Sequence, residues 1–198
     1  MAAKIASLSV ADFLKSLASK TPSPGGGAVA ALSGAMGAGL LVMVSEYSER
    51  AAGTDDPKPG LRSATEELVR LAEEDAEAYA AYSSARERRK EDPANWEKAK
   101  QWISRVPMSV LEVSLKAYAT VPEILAGAPK WFSGDISIAV GCLEACMEGA
   151  RSLCGANLGL LKGPGHDLMA AGLREAEARL EDLRRRIEPH LLARLPGR

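Results

Sequence analysis

Aromatic side chains are scarce in this chain: two Phe, four Tyr and three Trp in 198 residues. Its core must therefore be built mainly from Ala, Leu, Val and Met. Histidine is scarcer, with only His166 and His190, both late in the chain. The three cysteines, Cys142, Cys146 and Cys154, form no CxxC pair and share one apolar segment. A disulfide framework would not be confined to one helix, and no histidine stands nearby to complete a zinc site, so no metal is expected. The cysteines are expected to be small buried hydrophobes in a reducing compartment. Neither sign of charge dominates: 25 Lys+Arg stand against 26 Asp+Glu, a formal net charge of −1. That balance removes the electrostatic case for nucleic acid or an anionic membrane, while leaving room for a local basic pocket. Met1–Ser9 carries one lysine and no long apolar run. No secretory leader is expected, and a cytoplasmic location is. Walker loops, GxGxxG after a strand, HExxH and GxSxG are all absent.

Sustained period-two alternation is missing too, so no sheet is expected. The reading is a single all-α domain over residues 1–198, a bundle of about seven helices. Ser9 caps a first helix carrying Val10, Phe13, Leu14 and Leu17 at helical spacing, expected to stop near Lys20 before Pro22 and Pro24. A second runs from about Ala28 to Arg50. The stretch Gly25–Ser45 holds no charge and is long enough to span a bilayer. Its many Gly and Ala residues favour a buried helix that lets neighbouring backbones approach. A third, from about Leu61 to Arg89, bears an apolar stripe interrupted by Asp75. Asp92-Pro93 opens a short fourth, and Val106-Pro107 is expected to end it and begin a fifth reaching Ala126, kinked at Pro122. Asp135 is expected to cap a sixth, Ile136–Leu161, again rich in small residues. The last carries Met169, Leu173, Ala176, Leu180, Leu183 and Ile187 as a heptad-type seam, equally suited to the bundle or to a dimer. Arg184–Arg186 is expected to be a solvated face.

The chemically informative stretch is Thr21-Pro22-Ser23-Pro24-Gly25-Gly26-Gly27. Two prolines restrict the backbone, then three glycines free it just before a helix N-terminus. First-turn amides are unpaired donors, and glycine permits close approach of a ligand. Such a turn suits a carboxylate, a phosphate or a polar ring edge; a tight helix connection is the alternative. Asp135 and Asn157 form a second candidate pair. Twenty-two residues of helix separate them, about 33 Å at 1.5 Å per residue, so one straight helix cannot bring both to one site. Serving one ligand would require a second subunit.

The run from Phe13 through Lys20-Thr21-Pro22-Ser23-Pro24-Gly25-Gly26-Gly27 to Ala38 resembles the start of the cyclodeaminase/cyclohydrolase family. That family includes the C-terminal domain of formiminotransferase-cyclodeaminase and stand-alone methenyltetrahydrofolate cyclohydrolases. Asp75-Ala76-Glu77-Ala78-Tyr79, Val106-Pro107-Met108, Asp135 and Asn157 extend the resemblance over most of the chain. It implies a homodimer that binds a tetrahydrofolate derivative near the glycine turn. Pro24, Gly25, Gly26, Gly27 and Asn157 would bind substrate, and Asp135 and Asp75 would be catalytic. The implied reaction is hydrolysis of 5,10-methenyltetrahydrofolate to 10-formyltetrahydrofolate. The alternatives are ammonia release from 5-formiminotetrahydrofolate, or a diverged folate-binding member without either activity. The chain departs from the family pattern where Glu46–Gly53 replaces a Gly-Lys-Lys stretch, where Ala128–Gly134 replaces Gly-Asn-x-Asn, and where Leu153 replaces an Asn.

Overall fold

A computed structural model describes residues 4–49, 53 and 55–194. Among them are seven α-helices, two single-turn 3-10 helices and no strand. The helices are α1 (Val10–Leu17), α2 (Gly26–Glu46), α3 (Pro57–Glu87), α4 (Pro93–Tyr118), α5 (Val121–Gly127), α6 (Ser133–Leu158) and α7 (Pro164–Leu192). The all-helical expectation holds.

Helix α2 lies between α3 and α6, antiparallel to both. Along α6, Ala30 meets Gly149, Gly34 meets Cys146 and Gly37 meets Leu143. Along α3, Gly34 meets Leu68 and Gly27 meets Asp75. A Cβ at Gly34 would stand 2.6 Å from the Cys146 sulfur, and one at Gly37 2.8 Å from the Ala139 carbonyl. Small residues thus set the α2–α6 spacing, as the composition anticipates. Helix α2 is long and apolar enough to cross a bilayer, yet most of it is buried within the bundle. Helix α4 covers the α3 and α6 flanks, and α7 packs outside α4 and α6. Ala176, Leu180, Leu183 and Ile187 of α7 are buried within this one chain, so that seam belongs to the bundle. Arg185 and Arg186 are solvated as expected, but Arg184 bridges Glu144 and Glu148 of α6.

Several boundaries differ from expectation. Helix α1 stops at Leu17, not near Lys20. Helix α2 closes at Glu46, not near Arg50, a residue that itself lies outside the described ones. Helix α3 starts four residues early, at Pro57, because Asp56 accepts the Lys58 amide as N-cap. Pro107 does not end a helix: α4 runs through it. Pro107 cannot donate to the Ile103 carbonyl, and the Asn157 side chain supplies the missing hydrogen bond at 2.9 Å. Pro122, expected inside a kinked helix, instead starts the separate short helix α5. Asp135 is not the cap of α6. That place falls to Phe132, and Asp135 sits in the first turn. Cys146 and Cys154 are buried, Cys142 is half-buried, and all three are free thiols.

Candidate active site

Helix α2 begins without a side-chain cap of its own, since Gly25 occupies the N-cap. Asp75, from the middle of α3, fills that role across the helix interface: its carboxylate accepts the Ala28 amide. The approach is so close that a Cβ on Gly27 would overlap the Asp75 carboxylate. The second glycine of the helix start is therefore required by Asp75. Gly26 differs, with open space where its Cβ would project. Its backbone amide is one of the orphan donors of the first helical turn. Pro24 is buried beneath the turn.

Asp75 faces an apolar recess. Gly27 and Ala30 of α2, Val106, Pro107 and Val110 of α4, and Ala150 and Leu153 of α6 complete its walls, packed so closely that no room for a water-sized molecule is left between them. Burial pushes the Asp75 carboxyl above its ordinary value, against the Ala28 amide, which favours the anion. Its neighbour Glu74 behaves oppositely. Burial would raise it, but the Trp102 indole at 2.9 Å and Arg70 at 2.6 Å hold it below the usual carboxylate range. Adjacent carboxyls are thus driven apart: Trp102 and Arg70 favour the Glu74 anion, whereas burial shifts Asp75 toward its protonated form.

The glycine turn, Asp75 and the Val106-Pro107 pair therefore come together at one end of the bundle. Asn157 lies one helical turn beyond Leu153, but its amide donates to Ile103, and its backbone carbonyl accepts from Ser104 at 3.4 Å. Its observed work is joining α6 to α4. Asp135 lies at the other end of α6, half-buried, with no hydrogen bond or ion pair among the described residues. Beside it Phe132 packs on Tyr47, with ring centres 5.1 Å apart, while Trp131 is 78% exposed. Phe132 covers the loop, and the exposed Trp131 ring lies 6.2 Å from it. Sequence reasoning missed the recess walls and the Glu74–Trp102 pair. The Val106-Pro107 motif and the doubled acid Glu74-Asp75 were the available signals.

A larger open groove, with a volume of about 630 Å³, runs between α4 and the start of α7, past Arg105, Met108, Lys162 and Leu168. It lies on the far flank of α4 and does not include Asp75. Among the described residues no three His, Cys, Asp or Glu side chains are grouped to hold a metal ion.

Comparison with known proteins bears directly on this arrangement. No curated protein matches the chain significantly. A crystal structure of formiminotetrahydrofolate cyclodeaminase from Thermotoga maritima superimposes with a TM-score of 0.85 at 25% sequence identity. The match covers 96% of this chain and 98% of that one. The family model described as formiminotransferase-cyclodeaminase matches residues 9–171, which takes in the glycine turn, Asp75, Pro107, Asp135 and Asn157. The chain belongs to the formiminotransferase-cyclodeaminase family.

Proposed function

We propose that this protein is a folate-dependent one-carbon enzyme that closes 5-formiminotetrahydrofolate to 5,10-methenyltetrahydrofolate with release of ammonia. Ring closure is preferred to hydrolysis of the methenyl bridge, the first reading of the sequence, because the solved relative that matches nearly end to end is named a cyclodeaminase. The observation that carries the reading is Asp75: a carboxyl raised by burial, capping the start of α2 from α3, beside an open Gly26.

In the reaction N10 attacks the formimino carbon, the tetrahedral centre forms, and the former imino nitrogen leaves. A proton must leave N10 and another must reach the departing nitrogen. One carboxyl able to take and return a proton serves both steps, and positioned proton transfer contributes about 10²–10⁴-fold. The cationic amidinium carbon of the substrate is stabilised by the same carboxylate before transfer. The unpaired amides of the glycine turn offer donors to a pterin carbonyl or a carboxylate. The free thiols Cys142, Cys146 and Cys154 suit a cytoplasmic setting.

The test is an assay of purified protein with 5-formiminotetrahydrofolate. Methenyl absorbance and ammonia should appear together, one for one. Accelerated decay of added methenyltetrahydrofolate without any ammonia-releasing activity would restore the hydrolytic reading. Neither activity would refute both.

A further inference from the structure

We propose that Glu74 and Trp102 are positioning residues for the reaction: they tie α3 to α4 and hold the Val106-Pro107 wall against Asp75. The proposal rests on the reading of Asp75 as the reacting carboxyl.

Glu74 is where α4 is fastened to α3. The Trp102 indole N–H donates to Glu74 Oε1 at 2.9 Å, and the Arg105 guanidinium stands 3.6 Å from the same oxygen. Among the described residues these are the side-chain hydrogen bond and ion pair that join the two helices, and both end on one carboxylate. Elsewhere the helices meet through apolar and aromatic side chains, as where Tyr82 lies against Trp96 with ring centres 5.0 Å apart. Apolar packing is non-directional, whereas a hydrogen bond weakens steeply as its geometry changes. Glu74 therefore fixes how far α4 is advanced along α3.

The tie sits where it can act on the recess. Glu74 immediately precedes Asp75 in α3. Trp102 and Val106 are four residues apart in α4, neighbours on one face and about 6 Å apart along the axis. Pro107 follows. The same turn of α4 is also held from α6, where the Asn157 amide donates to the Ile103 carbonyl at 2.9 Å. Glu74 and Trp102 do not themselves line the recess. They act on Asp75 through the wall.

The wall keeps water from Asp75. The residues that α2, α4 and α6 contribute to it are Gly, Ala, Val, Pro and Leu, with no titratable side chain among them. On α3, the titratable groups at adjoining and one-turn positions are Glu74, which turns to α4, and Tyr79, which is 41% exposed. Burial, opposed by the Ala28 amide, sets the affinity of Asp75 for a proton, and no neighbouring charge contributes. Cutting the tie admits water, and the carboxyl reverts toward the ordinary aspartate value of 3.8. A carboxylate that holds a proton less readily is a weaker base toward N10. The chemical step slows while the groups that bind substrate stay in place.

Two variants cut the tie from opposite helices. W102F keeps an aromatic ring and loses the N–H. E74D keeps the negative charge and withdraws it by one methylene. R70A is the control, since it removes the 2.6 Å ion pair to Glu74 within α3 and leaves α4 attached. Carboxyl carbon-13 NMR titration reads the site without substrate, with the Asp75 signal identified by its absence from D75N. The Asp75 midpoint should fall toward 3.8 in W102F and E74D and keep its wild-type value in R70A. Unchanged midpoints in W102F and E74D, or an equal fall in R70A, would overturn the proposal. In the ammonia-release assay, kcat should drop about tenfold in W102F and E74D, less than the ~100-fold that a misplaced reacting group can cost. KM should stay constant, and the acid limb of kcat should move to lower pH. A raised KM at constant kcat would equally overturn the proposal. A wild type that releases no ammonia refutes the folate reading, and the carboxyl titration then decides the tie by itself.

Discussion

Gly26 and Gly27 are neighbours of identical chemistry with different work. A Cβ at Gly27 would overlap the Asp75 carboxylate, whereas one at Gly26 meets nothing. G27A should therefore destabilise the protein and lower activity by displacing Asp75. G26V should fold with nearly normal stability, less a modest helix-propensity effect, and lose substrate affinity because its methyl groups project into the open side of the turn. Chemical denaturation and KM measurements distinguish the two. Equal stability of G27A and wild type would show that Asp75 does not rest on this glycine. Asp75 also predicts a pH signature. Its folded value lies above the ordinary aspartate value of 3.8 that the unfolded chain would show. Its contribution to stability is therefore fully present below that value and is lost as pH rises through the folded value. D75N removes the titration, so the stability of D75N relative to wild type should increase over that window. A pH-independent difference would contradict the burial-driven shift.

Among the elements, α4 departs furthest from its sequence reading. Proline inside a helix ordinarily ends or kinks it, and nothing near Pro107 signals its compensation, which lies 50 residues away in Asn157. The helix starts at Ser9 and Asp92 were legible from their capping side chains, whereas the Asp56 cap of α3 was not recognised. Starts were not legible where the marker is tertiary, as where α2 is capped by Asp75 from α3. The same reasoning misassigned Asp135, an acid that sits in the first turn of α6 without capping it. The buried character of α2 and α6 was legible because small residues alone permit such close packing. The Asn157–Ile103 bond makes a specific prediction. N157A leaves a carbonyl unsatisfied and should cost about 1–3 kcal/mol. In the N157A background, P107A restores an amide able to donate to Ile103, so the second substitution should recover part of that loss. A double-mutant cycle with no coupling would show that the helix tolerates the gap unaided.

On the scale of the whole molecule, the bundle gathers the glycine turn, Asp75 and the Pro107 wall at one end and leaves Asp135 at the other. This division was visible in the sequence as a helix length. Its meaning was not, because the fold of one chain cannot show which surface a second copy covers. Likewise the family was legible from a short proline-glycine motif, but the choice between ring closure and hydrolysis was not. Both reactions use a tetrahedral carbon and a carboxyl. The most direct measurement of the central claim is the rate of ammonia release from 5-formiminotetrahydrofolate by wild type and D75N, each confirmed as folded. Loss of about 100-fold or more in kcat, with substrate binding largely retained, is the predicted result. A D75N protein that releases ammonia at the wild-type rate would contradict it.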